Sequence, residues 1–339
     1  MTSGPPMLPA STPPHAGHPR AQVRSSPGAD RMGAMTDRTV TRLNLRPILL
    51  FIAIAFGGAW LVALPMWLSG EGLAHPFASL LLIVMMFTPA IAALISARVF
   101  RSGESFARET TLRPSRPFRQ WWGYGLLAWF GPLLVTLLAI GIAVAIGGLT
   151  LDLVNFSGFA DTLDAATGGE ALPVPIQVLV AVQLVSVLFL PIINVLPALG
   201  EELGWRGFLQ ARLLPLGQWP TVLITGVLWG LWHAPVVLLG YNYPGYAPVL
   251  ALLMMVVFTT LTSVLLGWLT LSGGTVWLAA IAHGFINGVG GLSLLVAASG
   301  PVDPFTSGLL GLPGWIAMAL LIVLLVVLKR FPVRQKQAA

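Results

Sequence analysis

The chain has 339 residues, of which 56% are hydrophobic and only 9% are charged, and its formal net charge at pH 7 is +6. A soluble domain usually carries about 25% charged residues, so this composition cannot cover a water-facing surface. The chain contains no Cys, which excludes disulfides, thiolate nucleophiles and Cys-ligated metals.

The N-terminal segment differs from the rest of the chain. Residues 1–45 are rich in Pro, Ser, Gly and Arg and show no apolar periodicity. Such a segment cannot bury enough apolar surface to offset the entropy of ordering, so we predict a disordered basic tail. We expect a single helical transmembrane domain over residues 46–330 and a C-terminal tail over 331–339.

Eight apolar runs follow the tail, and each is long enough to cross a hydrocarbon core of about 30 Å. They predict an all-α fold, a polytopic membrane bundle of about eight transmembrane helices, and hence a multi-pass protein of the cell membrane. The runs lie near residues 47–68, 77–99, 121–149, 175–199, 219–239, 248–271, 275–298 and 309–328.

The distribution of charge supports this count. With eight spans, all 18 Lys and Arg residues fall in the two tails and in the second and fourth loops, on one side of the membrane. The positive-inside rule then places both termini in the cytoplasm. The basic stretch 98–119 can also attract anionic lipid. Because topology explains the positive charge, we predict no nucleic-acid partner. The opposite loops hold only acids, namely Glu71, Asp152, Asp161, Asp164, Glu170 and Asp303.

The first polar motif within the spans lies at the inner end of the fourth one, where Glu201 and Glu202 precede Arg206. Helical residues four apart share a face, so Glu202 and Arg206 are placed to pair, whereas Glu201 points about 100° away. A structural alternative is an interfacial charge cluster that ends the helix. The following stretch, Gly204–Gly217, is amphipathic and could continue the fourth helix.

Two further motifs lie in the fifth and seventh spans. Trp229 and His233 are four residues apart, as are His283 and Asn287, so each pair shares a helix face. A lone intramembrane His is often a neutral residue bonded to a helix carbonyl, and His283 with Asn287 could equally be polar contacts between helices. Each unpaired polar group in lipid costs roughly several kcal/mol of free energy. We therefore predict that the three motifs converge on one hydrated pocket.

Such a pocket could hydrolyse an amide. Glu201 could take a proton from water, His233 or His283 could position that water or protonate the leaving amine, and Asn287 could donate to the developing oxyanion. Glu201, His233 and His283 are equally a common catalytic zinc set, and the residue types do not separate the two mechanisms. Other intramembrane protease chemistries fit poorly, because no Asp lies within a predicted span and no Gly-x-Ser-Gly sequence occurs.

The order of the motifs on successive apolar helices resembles the CAAX prenyl protease and bacteriocin-processing family, also called CPBP or Abi. The motifs here are Glu201-Glu202 with Arg206, Trp229 with His233, and His283 with Asn287. The stretch Glu201–Leu209 adds to the resemblance, which covers about residues 175–300. The second motif often begins with Phe in the family, and this chain has Trp229 instead.

The resemblance implies an eight-helix intramembrane endopeptidase. By matching positions, Glu201 would activate water, His233 and His283 would be essential, and Asn287 would support them. Glu202 also belongs to the expected catalytic set, with Arg206 and Trp229 as orienting residues. Family members have been described both as metalloproteases and as metal-independent enzymes, so zinc and no cofactor both stay open.

The expected partners are membrane lipid and a protein or peptide substrate, including a prenylated CAAX-like one. A non-catalytic scaffold or peptide-immunity protein of the same fold is the main alternative. A transporter is a weaker one, because no internal repeat is visible.

Overall fold

The structure is a computed structural model that describes residues 1–4, 43–168 and 174–333. The chain divides into the units Met1–Arg42 and Leu43–Ala339, and the described helices all lie in the second. The described ranges contain no β-strand, only an isolated bridge between Leu151 and Ala297. The predicted all-α class is therefore confirmed.

The helices are numbered here in chain order. The α-helices are α1 (Leu45–Leu68), α2 (Ala78–Met85), α3 (Thr88–Val99), α4 (Phe106–Glu109), α5 (Phe118–Ala145), α6 (Ser157–Thr167), α7 (Ile176–Glu202), α8 (Gln210–Leu213), α9 (Gln218–Trp232), α10 (Ala234–Val237), α11 (Pro248–Gly273), α12 (Trp277–Val289), α13 (Leu292–Val296) and α14 (Leu312–Val327). A π-helical segment (Leu203–Leu209) joins α7 to α8, and short 3₁₀ turns cover Gly72–Ala74 and Leu214–Leu216.

Each predicted span contains helix, but the helices differ in length. In the described part of the chain, five are long and apolar enough to cross a membrane: Leu45–Leu68, Ala78–Val99, Phe118–Ala145, Pro248–Gly273 and Trp277–Val296. The predicted fifth and eighth spans contain α9, with 15 residues, and α14, with 16. At 1.5 Å per residue these are shorter than the hydrocarbon core. The count of eight spans and the cytoplasmic termini stay predictions.

The predicted fourth span is a bent helical path. Its two parts, Ile176–Phe189 and Ile192–Leu216, meet at 46°, and together they would make a sixth membrane crossing. The expectation that Gly204–Gly217 continues the helix is thus confirmed nearly to its end. Glu201 lies at the end of α7, as expected, and the helical path continues beyond it through the π-helical segment and α8 to Leu216.

Several predicted features fall largely outside the described residues. Of the N-terminal tail, the structure describes only residues 1–4 and 43–45, and of the C-terminal tail only 331–333. Glu170, one of the acids assigned to the loops opposite the basic ones, also lies outside the described ranges.

Glycines bring the path of the fourth span close to its neighbours. A Cβ added at Gly200 would lie 2.9 Å from the carbonyl oxygen of Met86, and one added at Gly204 would lie 2.8 Å from the carbonyl carbon and oxygen of Pro89. Small residues four apart permit this backbone approach between helices in lipid. The two glycines therefore set how closely Glu201 and Glu202 sit against the turn between α2 and α3.

We expect Gly204→Ala to destabilise the protein, because the new Cβ would meet Pro89 backbone atoms that cannot move aside. Overpacking of this kind costs about 1–3 kcal/mol. The matched control is Gly57→Ala, since Gly57 lies inside α1 and a Cβ there meets nothing within 4 Å. Thermal unfolding in detergent should show a lower midpoint for Gly204→Ala only. Equal midpoints for the two variants would contradict the close approach.

Candidate active site

The Glu202 carboxylate is fully buried and accepts two hydrogen bonds on one oxygen. Arg206 Nη1 donates to Glu202 Oε1 over 2.8 Å, and His283 Nδ1 donates to the same oxygen over 2.9 Å. The predicted pairing of Glu202 with Arg206 on one helix face therefore forms, although Arg206 lies in the π-helical segment. A charge in this position must be paired, because isolated ions are strongly disfavoured in a low-dielectric interior.

The neighbouring Glu201 is held by a different partner. Trp229 Nε1 donates to Glu201 Oε2 over 2.6 Å, and the Arg206 guanidinium lies 4.3 Å from the centroid of the Trp229 ring. A cation on the face of an indole is attracted by the negative face of the ring. Trp229 thus fixes Glu201 at its edge and Arg206 on its face, which connects the two acids of the first motif.

Both intramembrane imidazoles are anchored through the same ring atom. His233 Nδ1 lies 2.8 Å from the carbonyl oxygen of Trp229, and His283 Nδ1 bonds to Glu202. A carbonyl oxygen only accepts hydrogen bonds, so Nδ1 of His233 carries the proton, and an ionised Glu202 assigns the same tautomer to His283. In the neutral ring, Nε2 of each residue is then an acceptor available to other groups.

These residues meet around one cavity, called here the polar pocket. Its lining includes Glu201, Trp229, His233, His283 and Asn287. The predicted convergence of the three motifs is therefore present in the structure. Their individual chemical roles stay predictions.

Two members of the predicted set do not reach the pocket. Glu202 and Arg206 are absent from its lining, and both are buried behind it. Glu202 contacts the pocket only through His283, and its expected catalytic role stays a prediction. Arg206 contacts both Glu202 and Trp229, and its orienting role stays a prediction.

Asn287 lies at the open part of the pocket. It is exposed, and within the described residues its side chain makes no hydrogen bond. Tyr241 and Asn242 also line the pocket, and neither was predicted from the sequence. They follow α10 in a short irregular segment, where no helical spacing indicates which way a side chain points. One available signal was composition, because three of the four Tyr residues of the chain lie within positions 241–246.

Two other cavities adjoin the polar pocket. A second cavity shares Asn242, Asn287, Gly290 and Leu310 with it. A third, the apolar chamber, shares only Phe258 and Ile286 with it. The apolar chamber lies between α5, α11, α12 and α14, and its lining is almost wholly hydrocarbon. The polar pocket is thus placed between a partly polar extension and an apolar one.

The zinc alternative can be tested against these positions. Among the described residues, no group of three His, Asp or Glu side chains is placed to hold a metal ion. Glu201 has one oxygen bonded to Trp229, and the two imidazoles are fixed through Nδ1 in orientations set by the protein. Anchoring through Nδ1 leaves Nε2 of each imidazole free, as in many metal-binding His residues, so the dependence of the protein on zinc stays a prediction.

Comparison with known families supports the motif assignment. Residues 183–289 match the family model described as Rce1-like, type II CAAX prenyl endopeptidase. The matched segment contains all three motifs, so the resemblance inferred from them is confirmed. The family supports a membrane endopeptidase. No curated protein matches the chain.

We expect Arg206→Gln to destabilise the protein strongly, because it leaves the buried Glu202 charge with His283 alone. Removing one partner of a buried ion pair costs about 3–5 kcal/mol. Arg108→Gln is a matched control, since Arg108 and Glu104 form another pair four residues apart. The side-chain exposures are 0% and 0% for the Arg206–Glu202 pair, against 61% and 59% for Arg108–Glu104.

Thermal unfolding in detergent should lower the midpoint for Arg206→Gln and leave it almost unchanged for Arg108→Gln. Similar midpoints for both variants would show that Arg206 does not stabilise the buried carboxylate.

Proposed function

Because residues 183–289 carry an Rce1-like domain of the type II CAAX prenyl endopeptidases, we propose that the protein is an intramembrane endopeptidase that uses water activated by Glu201. The observation that carries this proposal is the meeting of one carboxylate and two imidazoles at a single pocket in a helical membrane protein. The substrate would be a membrane-associated protein or peptide.

Glu201 is the best candidate for the general base. One carboxylate oxygen accepts from Trp229, which leaves the other for a water in the pocket. Glu201 would take a proton from this water as the hydroxyl attacks the carbonyl carbon. The protonated Glu201 would then return the proton to the leaving nitrogen as the C–N bond breaks, so that water is added across the amide with no covalent intermediate.

The two imidazoles would hold the attacking water. With Nδ1 protonated, Nε2 of His283 or His233 can accept a hydrogen bond from the second hydrogen of that water. Glu202 fixes the His283 ring, and the backbone of Trp229 fixes the His233 ring. Asn287 has an unused amide group at the pocket, which supports its role as a donor to the oxyanion.

The adjoining cavities suggest how an amphipathic substrate would bind. The extension lined by Asn242, Asn287, Ser293 and Ser307 offers neutral polar groups suited to an extended peptide backbone. The apolar chamber could take a prenyl chain, because its lining is hydrocarbon and it meets the polar pocket at Phe258 and Ile286. A prenylated CAAX-like peptide would then place its lipid and its scissile bond in different cavities.

We expect Glu201→Gln to lower kcat by at least about 10²–10⁴, the range attributed to general acid–base catalysis. The amide is similar in size to the carboxylate and can still accept from Trp229, so the fold should persist. The measurement is cleavage of a prenylated CAAX-type peptide by purified protein in lipid vesicles, alongside thermal unfolding. Wild-type activity in Glu201→Gln would remove Glu201 from the mechanism. A folded wild-type protein that cleaves no peptide would favour a non-catalytic scaffold or immunity protein.

The apolar chamber gives a separate test of substrate class. A Cβ at Gly131, which lines the chamber, would meet nothing within 4 Å, so Gly131→Phe should fill the space without a clash at its base. We expect KM for the prenylated peptide to rise about 10-fold or more, the effect of losing part of an apolar contact, with little change for the unprenylated peptide.

Gly141→Phe is the control for this substitution. Gly141 lies on the same helix, a Cβ there also meets nothing within 4 Å, and it does not line the chamber. A rise in KM for both peptides, or for both variants, would show that the chamber does not bind the prenyl group.

A further inference from the structure

We propose that the hydroxyl of Tyr241 donates a hydrogen bond to the carbonyl oxygen of the scissile bond as that oxygen becomes negatively charged, together with Asn287. This role rests on the proposed endopeptidase function. Tyr241 belongs to none of the three motifs, yet it lines the same pocket as Glu201, His233 and His283. The donated hydrogen bond involves no proton transfer, so Tyr241 stays neutral through the reaction.

Tyr241 differs from the two tyrosines that follow it. The Tyr243 hydroxyl donates to the carbonyl oxygen of Leu310 over 3.0 Å, and the Tyr246 hydroxyl donates to Asp303 Oδ1 over 2.7 Å. Among the described residues, the Tyr241 hydroxyl has no hydrogen-bond partner, and it is not among the buried polar atoms that lack one. Its donor is therefore available to a group that enters the pocket.

The backbone around Tyr241 is fixed on both sides. Its N–H donates to the carbonyl oxygen of Val236 over 3.2 Å. The next residue, Asn242, has a φ of 66°, in the left-handed region that Asn tolerates better than most residues. Asn242 separates Tyr241, which lines the pocket, from Tyr243, which is fully buried. Non-glycine residues with positive φ cluster at functional sites, where the surrounding structure holds them in place.

The electrostatic surroundings keep Tyr241 a donor. Burial, and then the negative charge of Glu201, raise the pKa of the Tyr241 phenol above its ordinary value. The phenol is therefore protonated at neutral pH. A neutral donor fits an oxyanion position better than a cation would, because it leaves the basicity of Glu201 intact.

The test compares Tyr241→Phe with Tyr243→Phe, which make the same chemical change two residues apart. Removing one oxyanion donor lowers kcat about 10²–10³-fold, so we expect this loss in Tyr241→Phe with KM and the thermal midpoint unchanged. Tyr243→Phe removes the hydrogen bond to the carbonyl oxygen of Leu310. We therefore expect a lower thermal midpoint and a kcat within about threefold of wild type.

The outcomes distinguish the role of Tyr241 from the proposed endopeptidase function. A kcat for Tyr241→Phe within about threefold of wild type, with Glu201→Gln inactive, would overturn the role of Tyr241 and leave the endopeptidase in place. A lower kcat for Tyr241→Phe that is accompanied by a lower thermal midpoint would also overturn it, because the hydroxyl would then only stabilise the loop. Full activity in Glu201→Gln would overturn the proposed mechanism, and the role of Tyr241 with it.

Discussion

The buried negative charge of Glu202 is the constraint on which the arrangement of the site depends. A carboxylate with no exposed surface is stable only if positive or polar groups are held against it. Arg206 meets it from the same helical path, and His283 meets it from α12. The same Arg206 lies on the face of Trp229, which in turn holds Glu201. The groups that compensate the charge of Glu202 therefore also position the Glu201 carboxylate and the His283 imidazole at the edge of the pocket.

Much of this arrangement follows from residue spacing. Helical periodicity places Glu202 against Arg206, and the cost of unpaired polar groups in lipid brings the three motifs together. Spacing along a helix separates the paired Glu202 from the unpaired Glu201, but it does not say that Glu202 is buried behind the pocket and bonded to His283. Nor does it indicate a π-helical turn, which depends on tertiary packing. Helical spacing did not identify Tyr241, because it follows α10 in an irregular segment whose backbone conformation is not set by a helical repeat.

The lengths of the helices were also only partly predictable. Apolar composition indicates which segments can lie in lipid, and each apolar run does contain helix. It does not fix where a helix stops, and α9 ends at Trp232, after which a separate short helix with Pro235 in its first turn begins at Ala234. The fourth run shows the opposite case, because its helical path continues past the apolar residues to Leu216. Polar residues such as Arg206 remain within it because they are satisfied by partners inside the protein.

Two neighbouring acids in a motif suggest redundancy, with either able to replace the other. Two glycines in the helical path of the fourth span argue against this redundancy. Gly200 and Gly204 press the backbone against Met86 and Pro89, so the helix cannot turn about its axis by the 100° that would exchange Glu201 and Glu202. Each carboxylate is confined to its own surroundings, one beside a cavity and one against a cation. Evolution could therefore not lose one acid and keep the other as a substitute, although they are chemically identical.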